Sequence, residues 1–167
     1  KKYVQMSVKF GALITVRLES KRFPQKAKKK IYSYSLIEIL IKRLLQVEDK
    51  QNIVICTCKS KTHGYLKSVA KKYDVKIYFG SKDNLLVRMI DCAKKNNFKY
   101  IFRITGDNPF IDCENYLKIK SAAIKKSKLE YIYSKIPLRG MRCELLSLNA
   151  LKKTLKNSIE KKKIDYL

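Results

Sequence analysis

The sequence lacks the long apolar runs of a membrane protein. Its longest run, Gly11 to Val16, is far shorter than the roughly 20 residues that a membrane-spanning helix needs. The first residues include two lysines, but they have neither the continuous apolar core nor the small-residue cleavage site of a secretory signal. We therefore expect no membrane association and a cytoplasmic location.

The chain also lacks a disulfide framework and a complete set of metal ligands. Its five cysteines are odd in number and scattered through hydrophobic segments, which is typical of reduced thiols. Cys56 and Cys58 lie two apart with His63 nearby, but a zinc site needs a further ligand pair that the sequence does not supply. Packing in the core is the favoured interpretation of these two cysteines.

Acidic residues are scarce. The chain has 14 Asp and Glu against 39 Lys and Arg, which gives a formal net charge of +25. Such a charge raises the question of nucleic-acid binding. However, most of the cations are lysines spread along predicted helix faces, whereas bidentate phosphate contacts and base contacts favour arginine. No aromatic-rich strand resembles an RNA-binding platform. We interpret the charge as a solvated lysine coat produced by compositional drift, and we do not expect nucleic acid as a partner.

Two common phosphate-binding patterns are absent. The chain contains neither the Gly-x-x-x-x-Gly-Lys-Ser/Thr of a P-loop nor the Gly-x-Gly-x-x-Gly of a dinucleotide-binding turn. It does contain a cationic loop after its first predicted strand, where Arg17, Ser20, Arg22 and Lys26 surround Pro24. Cations, hydroxyls and backbone amides bind phosphates, so this loop is a candidate polyphosphate site. A basic surface loop without function is the alternative.

A single carboxylate follows the fourth predicted strand. Asp107 lies in the segment Arg103 to Pro109, where a hydrophobic strand runs into a Gly-Asp turn closed by proline. Open α/β sheets bind their ligands at the carboxyl ends of strands, and Mg²⁺ is usually held by one or two carboxylates together with substrate phosphates. We therefore predict that Asp107 binds Mg²⁺ and faces the cationic loop, with a simple turn-forming role as the alternative.

Apolar periodicity predicts alternating strands and helices. The strands are Lys9 to Val16, Asn52 to Thr57, Lys76 to Phe79, Tyr100 to Ile104, Tyr131 to Tyr133 and Cys143 to Ser147, and the helices are Leu36 to Gln46, Thr62 to Tyr73, Leu85 to Lys95, Cys113 to Lys126 and a final one from Leu148. This order predicts an α/β protein with a Rossmann-like three-layer αβα arrangement and a mostly parallel central sheet. At 167 residues, without a linker or an internal repeat, residues 1–167 are predicted to form one domain.

Three ordered segments carry a resemblance to a known family. Gly11 to Lys30 contains a strand followed by Arg-x-x-Ser-x-Arg-x-Pro-x-Lys. Gly80 to Arg88 reads Gly-Ser-Lys-Asp-Asn-Leu-Leu-Val-Arg, and Arg103 to Asp112 reads Arg-Ile-Thr-Gly-Asp-Asn-Pro-Phe-Ile-Asp. In order and spacing these segments resemble the signatures of the CMP-sugar cytidylyltransferases, which include the acylneuraminate and Kdo enzymes, and in particular the branch related to spore-coat polysaccharide biosynthesis protein F.

The resemblance implies a GT-A-like nucleotidyltransferase that transfers CMP from CTP to a sugar, often an acidic one, with release of pyrophosphate. Its partners would be CTP and a sugar acceptor of surface polysaccharide synthesis, its cofactor Mg²⁺, and a homodimer is a further expectation. Carried over by position, the catalytic residues are Arg17, Lys26 and Asp107, with Asp107 as the metal ligand. The implied nucleotide contacts are Arg17, Ser20, Arg22, Lys26, Arg88 and Arg103, and Glu144 lies on the sugar side.

Some positions depart from the family pattern. Leu18 and Glu19 stand where small residues usually follow the first arginine, and Arg142 replaces a carboxylate two residues before Glu144. Family members also continue beyond the point that matches Leu167 into a segment with a second metal carboxylate, so we expect the chain to be truncated at its C-terminus. Two alternatives stay open: a catalytically degenerate nucleotide-binding relative, and a basic nucleic-acid-binding α/β domain.

Overall fold

The computed structural model describes residues 8–19, 24–60, 63–126, 128–135 and 140–160. The elements within these ranges are β1 (Phe10–Thr15), β2 (Lys30–Ile31), β3 (Tyr34–Ser35), α1 (Leu36–Leu44), β4 (Ile53–Cys58), α2 (His63–Tyr73), β5 (Lys76–Gly80), α3 (Leu85–Lys95), β6 (Tyr100–Thr105), α4 (Cys113–Lys125), β7 (Tyr131–Tyr133), β8 (Glu144–Ser147) and α5 (Leu148–Glu160). Strands and helices alternate from β4 to α4, as the apolar periodicity predicts.

Six strands form one sheet in the order β5-β4-β1-β6-β8-β7. The four strands β5, β4, β1 and β6 run parallel, whereas β8 is antiparallel to both of its neighbours. β1 is buried along its whole length and pairs on both sides, as expected for a continuous apolar run. The prediction of a mostly parallel sheet is confirmed.

Helices cover both faces of this sheet. On one face α1, α2 and α4 pack against the strands through residues such as Leu40, Leu66 and Tyr116. On the other face α3 and α5 contribute Met89 and Leu151 to a second apolar cluster. All five side chains are almost fully buried. The three-layer αβα arrangement with a Rossmann-like topology is therefore confirmed.

A buried carboxylate fixes the start of α1. Ser35 Oγ accepts a hydrogen bond from the Glu38 amide, and the Glu38 carboxylate accepts one from the Ser35 amide at 2.9 Å, which completes a capping box. Lys72 Nζ, on α2, donates to the same carboxylate at 2.7 Å. Burial raises the pKa of Glu38, but the Lys72 and Ser35 donors outweigh it and lower this pKa to about 2. An ionised carboxylate therefore ties α1 to α2.

A second buried carboxylate ties the segment after α1 to α4. The Glu48 side chain is buried, and its Oε2 accepts hydrogen bonds from the Tyr116 hydroxyl at 2.8 Å and from Lys120 Nζ at 2.7 Å. Asn52 Nδ2 donates to the other oxygen at 3.1 Å. Burial, together with the nearby Glu48 charge, raises the pKa of Tyr116 well above its ordinary value, so the phenol remains a donor.

The hairpin of β2 and β3 is absent from the sequence-based prediction. Each of its strands has only two residues, which is too short to show an alternating pattern. Its turn places Tyr32 in the left-handed region at φ 52°, with the ring fully exposed. α1 also ends earlier than predicted, at Leu44 instead of Gln46. The single-domain organisation stays a prediction.

All five cysteines are free, and four of them are buried, including Cys56 and Cys58. The interpretation of Cys56 and Cys58 as packed core residues is therefore confirmed, and the reduced state of the thiols stays a prediction. Among the helices of the described ranges, none has the length and apolar composition needed to cross a bilayer.

Candidate nucleotide site

The ends of β1 and β6 form the edge at which several predicted site residues lie. The two strands are parallel and in register, so Thr15 lies beside Thr105. The Gly106 amide then donates to the Thr15 carbonyl at 3.0 Å, which continues the pairing one residue past β6. The loop after β1 and the turn after β6 therefore leave the sheet side by side.

The turn after β6 depends on the absence of a side chain at Gly106. A Cβ at this position would lie 2.8 Å from the Cβ of Val16, which is closer than packed side chains approach. The Asn108 amide donates to the Thr105 carbonyl at 3.0 Å and closes the turn. Pro109 is buried directly after it. Together these contacts fix the position of the intervening carboxylate.

Asp107 and Lys26 meet across this edge, although 81 residues separate them in the sequence. Lys26 Nζ donates to Asp107 Oδ2 at 2.9 Å, and the two side chains are 47% and 36% exposed. The structure therefore brings the cationic loop together with the predicted metal carboxylate. Both groups remain accessible from solvent.

Asp107 is ionised at neutral pH. Burial raises the pKa of its carboxyl group, but the hydrogen bond and charge of Lys26 lower it, as do hydrogen bonds from the Thr105 hydroxyl and the Asp107 amide. The donors outweigh the burial, so the pKa lies below its ordinary value. The ionised form is the one that binds a divalent cation.

Leu18 anchors the loop that carries Lys26. Its side chain is buried in the apolar cluster beside α1, and its carbonyl accepts a hydrogen bond from the Gln25 amide at 2.8 Å. Gln25 adopts the left-handed conformation at φ 56° and leads into a short 3₁₀ turn, Lys26–Lys28. Leu18, which departs from the family pattern, is thus a core residue, whereas Glu19 is exposed.

Two arginines predicted to contact the nucleotide hold the loop after β5. Arg17 Nη1 donates to the Lys82 carbonyl at 3.1 Å. Arg88 lies on α3, and its Nη1 donates to the neighbouring Ser81 carbonyl at 2.7 Å. Asn84 ends this loop as the N-cap of α3. The loop after β5 is therefore joined to the loop after β1.

Arg88 is almost fully buried, at 2% exposure. Its Nε has no hydrogen-bond partner and is the one buried side-chain polar atom of the described residues in that condition. The side chain packs closely on β5, since a Cβ on Gly80 would lie 2.9 Å from Arg88 Cγ. In this arrangement Arg88 supports the loop, and its contact with a nucleotide stays a prediction.

Arg103 and Glu144 form an ion pair on the same sheet. They lie directly opposite each other on β6 and β8, with 3.5 Å between Nη1 and Oε2, and both side chains are partly exposed. Tyr133 lies opposite Glu144 on β7 and stacks on Tyr131, with 5.7 Å between the ring centroids. Arg103, predicted to contact the nucleotide, is thus adjacent to Glu144, predicted to contact the sugar. Arg103 precedes Asp107 by four residues.

Ser20 and Arg22 lie outside the described residues, so their roles stay predictions. Neither Thr105 nor Asn84 has a role predicted from the sequence. Asn84 has a recognisable signal, because Asn is a preferred N-cap residue directly before an apolar-periodic segment. Thr105 has none, because its hydrogen bond to Asp107 exists only once the turn has formed.

Asp107 fits a magnesium site that is completed by a substrate. Within the described part of the chain, no group of three or more His, Cys, Asp and Glu could hold a metal ion by itself. Mg²⁺ needs fewer protein ligands than that, because it is usually bound through one or two carboxylates with phosphates and water as the remaining ligands. An ionised, partly exposed carboxylate at an edge rich in cations suits that chemistry.

Comparison with known families shows the family of the chain. A family model described as cytidylyltransferase matches residues 12–166. The chain belongs to the cytidylyltransferase family. The match begins in β1 and includes Arg17, Lys26, Asp107 and Glu144. The resemblance found in the three sequence segments is therefore confirmed.

Two sequence relatives of this cytidylyltransferase chain are longer than it is. An uncharacterized protein of Methanocaldococcus jannaschii is 29% identical over 154 residues, which cover 92% of the chain and 63% of the relative. The spore coat polysaccharide biosynthesis protein SpsF of Bacillus subtilis is 29% identical over 143 residues, which cover 83% and 59%. The chain thus spans about three fifths of the length of these relatives.

Solved structures agree with the fold. A cytidylyltransferase of Leptospira borgpetersenii serovar Hardjo-bovis is similar with a TM-score of 0.82 at 28% identity, over 89% of the chain and 64% of that structure. A CMP:2-keto-3-deoxy-manno-octonic acid synthetase complexed with CTP gives a TM-score of 0.71 at 14% identity, over 89% and 78%. At that identity the second likeness shows the fold alone, a Rossmann-like nucleotidyltransferase fold.

Proposed function

We propose that the protein transfers CMP from CTP to an acidic sugar, with release of pyrophosphate, in surface polysaccharide synthesis, and that this chain supplies the nucleotide site. The observation that carries the proposal is the contact between Lys26 and Asp107 where β1 and β6 end in register. Membership of the cytidylyltransferase family supports the nucleotidyl transfer. The name of the Bacillus relative supports the polysaccharide context.

Arg17 and Lys26 neutralise the triphosphate in this proposal. In-line attack of a sugar hydroxyl on the α-phosphorus spreads negative charge over phosphate oxygens, and positioned cations stabilise that charge. Arg17 is exposed and donates one hydrogen bond to the Lys82 carbonyl, and its guanidinium has further donors for phosphate oxygens. The described contacts thus leave the cationic groups at the surface that the triphosphate would occupy.

Asp107 binds Mg²⁺ in this proposal. A bound ion would supply Lewis-acid neutralisation of the charge that develops on the phosphates. Asp107 would hold the ion in exchange for its Lys26 partner, whose ammonium group would then be available to the phosphates. This exchange is open to both side chains because neither is buried. The Thr105 hydroxyl keeps the carboxylate oriented during the exchange.

Glu144 forms the sugar side, and Arg103, which the family resemblance assigns to the nucleotide, is placed on the sugar side in this proposal because it pairs with Glu144. Glu144 accepts hydrogen bonds from sugar hydroxyls, and Arg103 directly opposite offers a cation for the carboxylate of an acidic sugar. The Arg103 guanidinium is paired with Glu144, but it has further donors that could bind the carboxylate of an acidic acceptor.

The first test is a thermal-shift comparison of CTP, ATP and single-stranded RNA, each with and without Mg²⁺. We expect CTP with Mg²⁺ to raise the Tm most. Asp107→Asn should abolish the Mg²⁺-dependent part of the shift, and Lys26→Met should reduce the shift by CTP even without the metal. The matched control is Glu114→Gln, which opens an exposed ion pair with Lys118 on α4 and should leave the CTP shift unchanged.

The other outcomes separate the alternatives. CTP binding that needs no Mg²⁺ and survives Asp107→Asn would point to a catalytically degenerate nucleotide-binding relative. A shift by RNA that falls steeply with salt would point to a basic nucleic-acid-binding domain. Pyrophosphate release from CTP, measured with a panel of acidic and neutral sugars, then tests the transfer and the acceptor class.

A further inference from the structure

A cavity of about 1070 Å³ lies at the opposite edge of the sheet from Asp107. Its walls come from the end of α3, the start of β6, the segment before β7, and the junction of β8 with α5. Tyr100, the first residue of β6, lines it, whereas Asp107 follows the last residue of that strand. The residues that line the cavity do not include Arg17, Lys26 or Asp107, so the cavity is separate from the candidate nucleotide site.

The charge on the walls is positive. Lys94, Lys99 and Lys128 come from three separate segments, and all three are exposed. Among the ion pairs of the described residues, none includes these lysines. The walls also contain one carboxylate, Glu130, which is paired with Lys153. The three lysines thus line one cavity, and no described carboxylate forms an ion pair with them.

Backbone hydrogen bonds hold these walls together. The Leu148 amide donates to the Lys99 carbonyl at 2.9 Å, and the Ser147 amide donates to the Glu130 carbonyl at 2.9 Å. Ser147 Oγ then accepts a hydrogen bond from the Ala150 amide at 3.0 Å and caps α5. The segments that carry the lysines are therefore joined to regular structure, and the cavity is preformed.

Polar and apolar groups in the cavity complement each other. Asn149 lies in the first turn of α5, where an amide has no acceptor within the helix and where the helix dipole favours an anion. The buried Phe98 and the partly buried Leu129 and Leu148 supply apolar surface. The volume is sufficient for an organic molecule of metabolite size.

We propose that this cavity binds a small organic phosphate at a site separate from the nucleotide site. The lysines and the start of α5 receive the phosphate, and the apolar wall receives the organic part. The site needs no contribution from Asp107 or Mg²⁺, so the proposal stands or falls independently of the cytidylyl transfer. A ligand bound here leaves the edge that carries Lys26 and Asp107 open.

The test is a titration of the ¹⁵N-labelled chain followed by NMR, in EDTA, with two probes: inorganic phosphate and adenosine 5′-monophosphate. We expect saturable shifts of the Leu148 and Asn149 amides, with tighter binding of the nucleoside phosphate because of the apolar wall. The triple variant Lys94→Gln, Lys99→Gln and Lys128→Gln should weaken binding at least tenfold, the change expected when the charges that face a dianion are removed.

The lysine coat requires a control with the same change of charge. Lys67→Gln, Lys71→Gln and Lys156→Gln remove three exposed lysines from α2 and α5 and should change the affinity less than twofold. Equal weakening by both triple variants, shifts confined to the Asp107 turn, or no saturable shift would each overturn the proposal. Equal affinity for inorganic phosphate and adenosine 5′-monophosphate would show that the apolar wall does not bind the organic part of a ligand. Thermal unfolding checks that both triple variants are folded.

Discussion

Replacing Glu38 with Gln should destabilise the protein at neutral pH by an amount that disappears in acid. The capping box and Lys72 lower the pKa of Glu38 from 4.5 to about 2. Each unit corresponds to about 1.4 kcal/mol, so the ionised carboxylate contributes on the order of 3 kcal/mol to folding. Because the folded-state pKa is the lower one, this contribution is complete above the unfolded pKa of 4.5 and is lost as the pH falls toward 2.

Gln isolates the effect of the charge. Its amide oxygen can still accept from the Ser35 amide, but it cannot form an ion pair with Lys72. We would measure the free energy of unfolding in urea for both proteins at several values between about pH 7 and about pH 2. The two proteins should differ by about 2–3 kcal/mol at neutral pH and converge in acid, because protonated Glu38 and Gln are similar in shape and charge.

The control for this experiment is Glu114→Gln. Glu114 pairs with Lys118 one turn along α4, but its side chain is 78% exposed. Exposed pairs of this kind contribute little to stability because solvent screens them. A stability difference between wild type and Glu38→Gln that stays constant over the whole pH range would refute the assignment of a lowered pKa to Glu38.

Three further substitutions test the turn after β6, a buried hydrogen bond in the core and the loop after β5. Gly106→Ala should weaken Mg²⁺-dependent CTP binding at least tenfold in calorimetry, because its Cβ would lie 2.8 Å from the Cβ of Val16 and displace the turn; unchanged affinity would contradict this. Tyr116→Phe should lower the free energy of unfolding by about 1–3 kcal/mol, since Glu48 loses a buried donor, and an unchanged urea midpoint would argue against it. Arg88→Met should release the loop after β5 and speed its cleavage in limited proteolysis; equal cleavage rates would show that the arginine does not hold it.

Local patterns in the sequence are sufficient to predict most of the order of strands and helices. The apolar run Phe10–Thr15 reads as a buried strand because it lies at the centre of the sheet with both faces covered. Asn84 and Asn96, the caps of α3, mark where this helix begins and ends. The Gly-Asp turn after β6 is recognisable because a glycine follows the strand directly and a proline follows three residues later. These features depend only on residues close together in the chain.

Long-range contacts account for what the sequence does not predict. The direct pairing of Arg103 with Glu144 depends on the register of β6 and β8, which the sequence pattern does not specify. The burial of Arg88 is equally unexpected, because arginine is mostly exposed in folded proteins. The sequence predicts that Lys26 and Asp107 lie at the same edge of the sheet, but not that they form a hydrogen bond. That contact depends on the packing of Leu18 in the core, which positions the loop that carries Lys26.

The central position of β1 has a consequence for synthesis on the ribosome. β1 emerges before its partners β4 and β6, which follow about 40 and about 90 residues later, or several seconds at ordinary elongation rates. During that interval an apolar strand with two open edges invites association with other nascent chains. Chaperone occupancy should therefore concentrate on Phe10–Thr15 and end once β6 has been translated, the earliest moment at which Lys26 can meet Asp107.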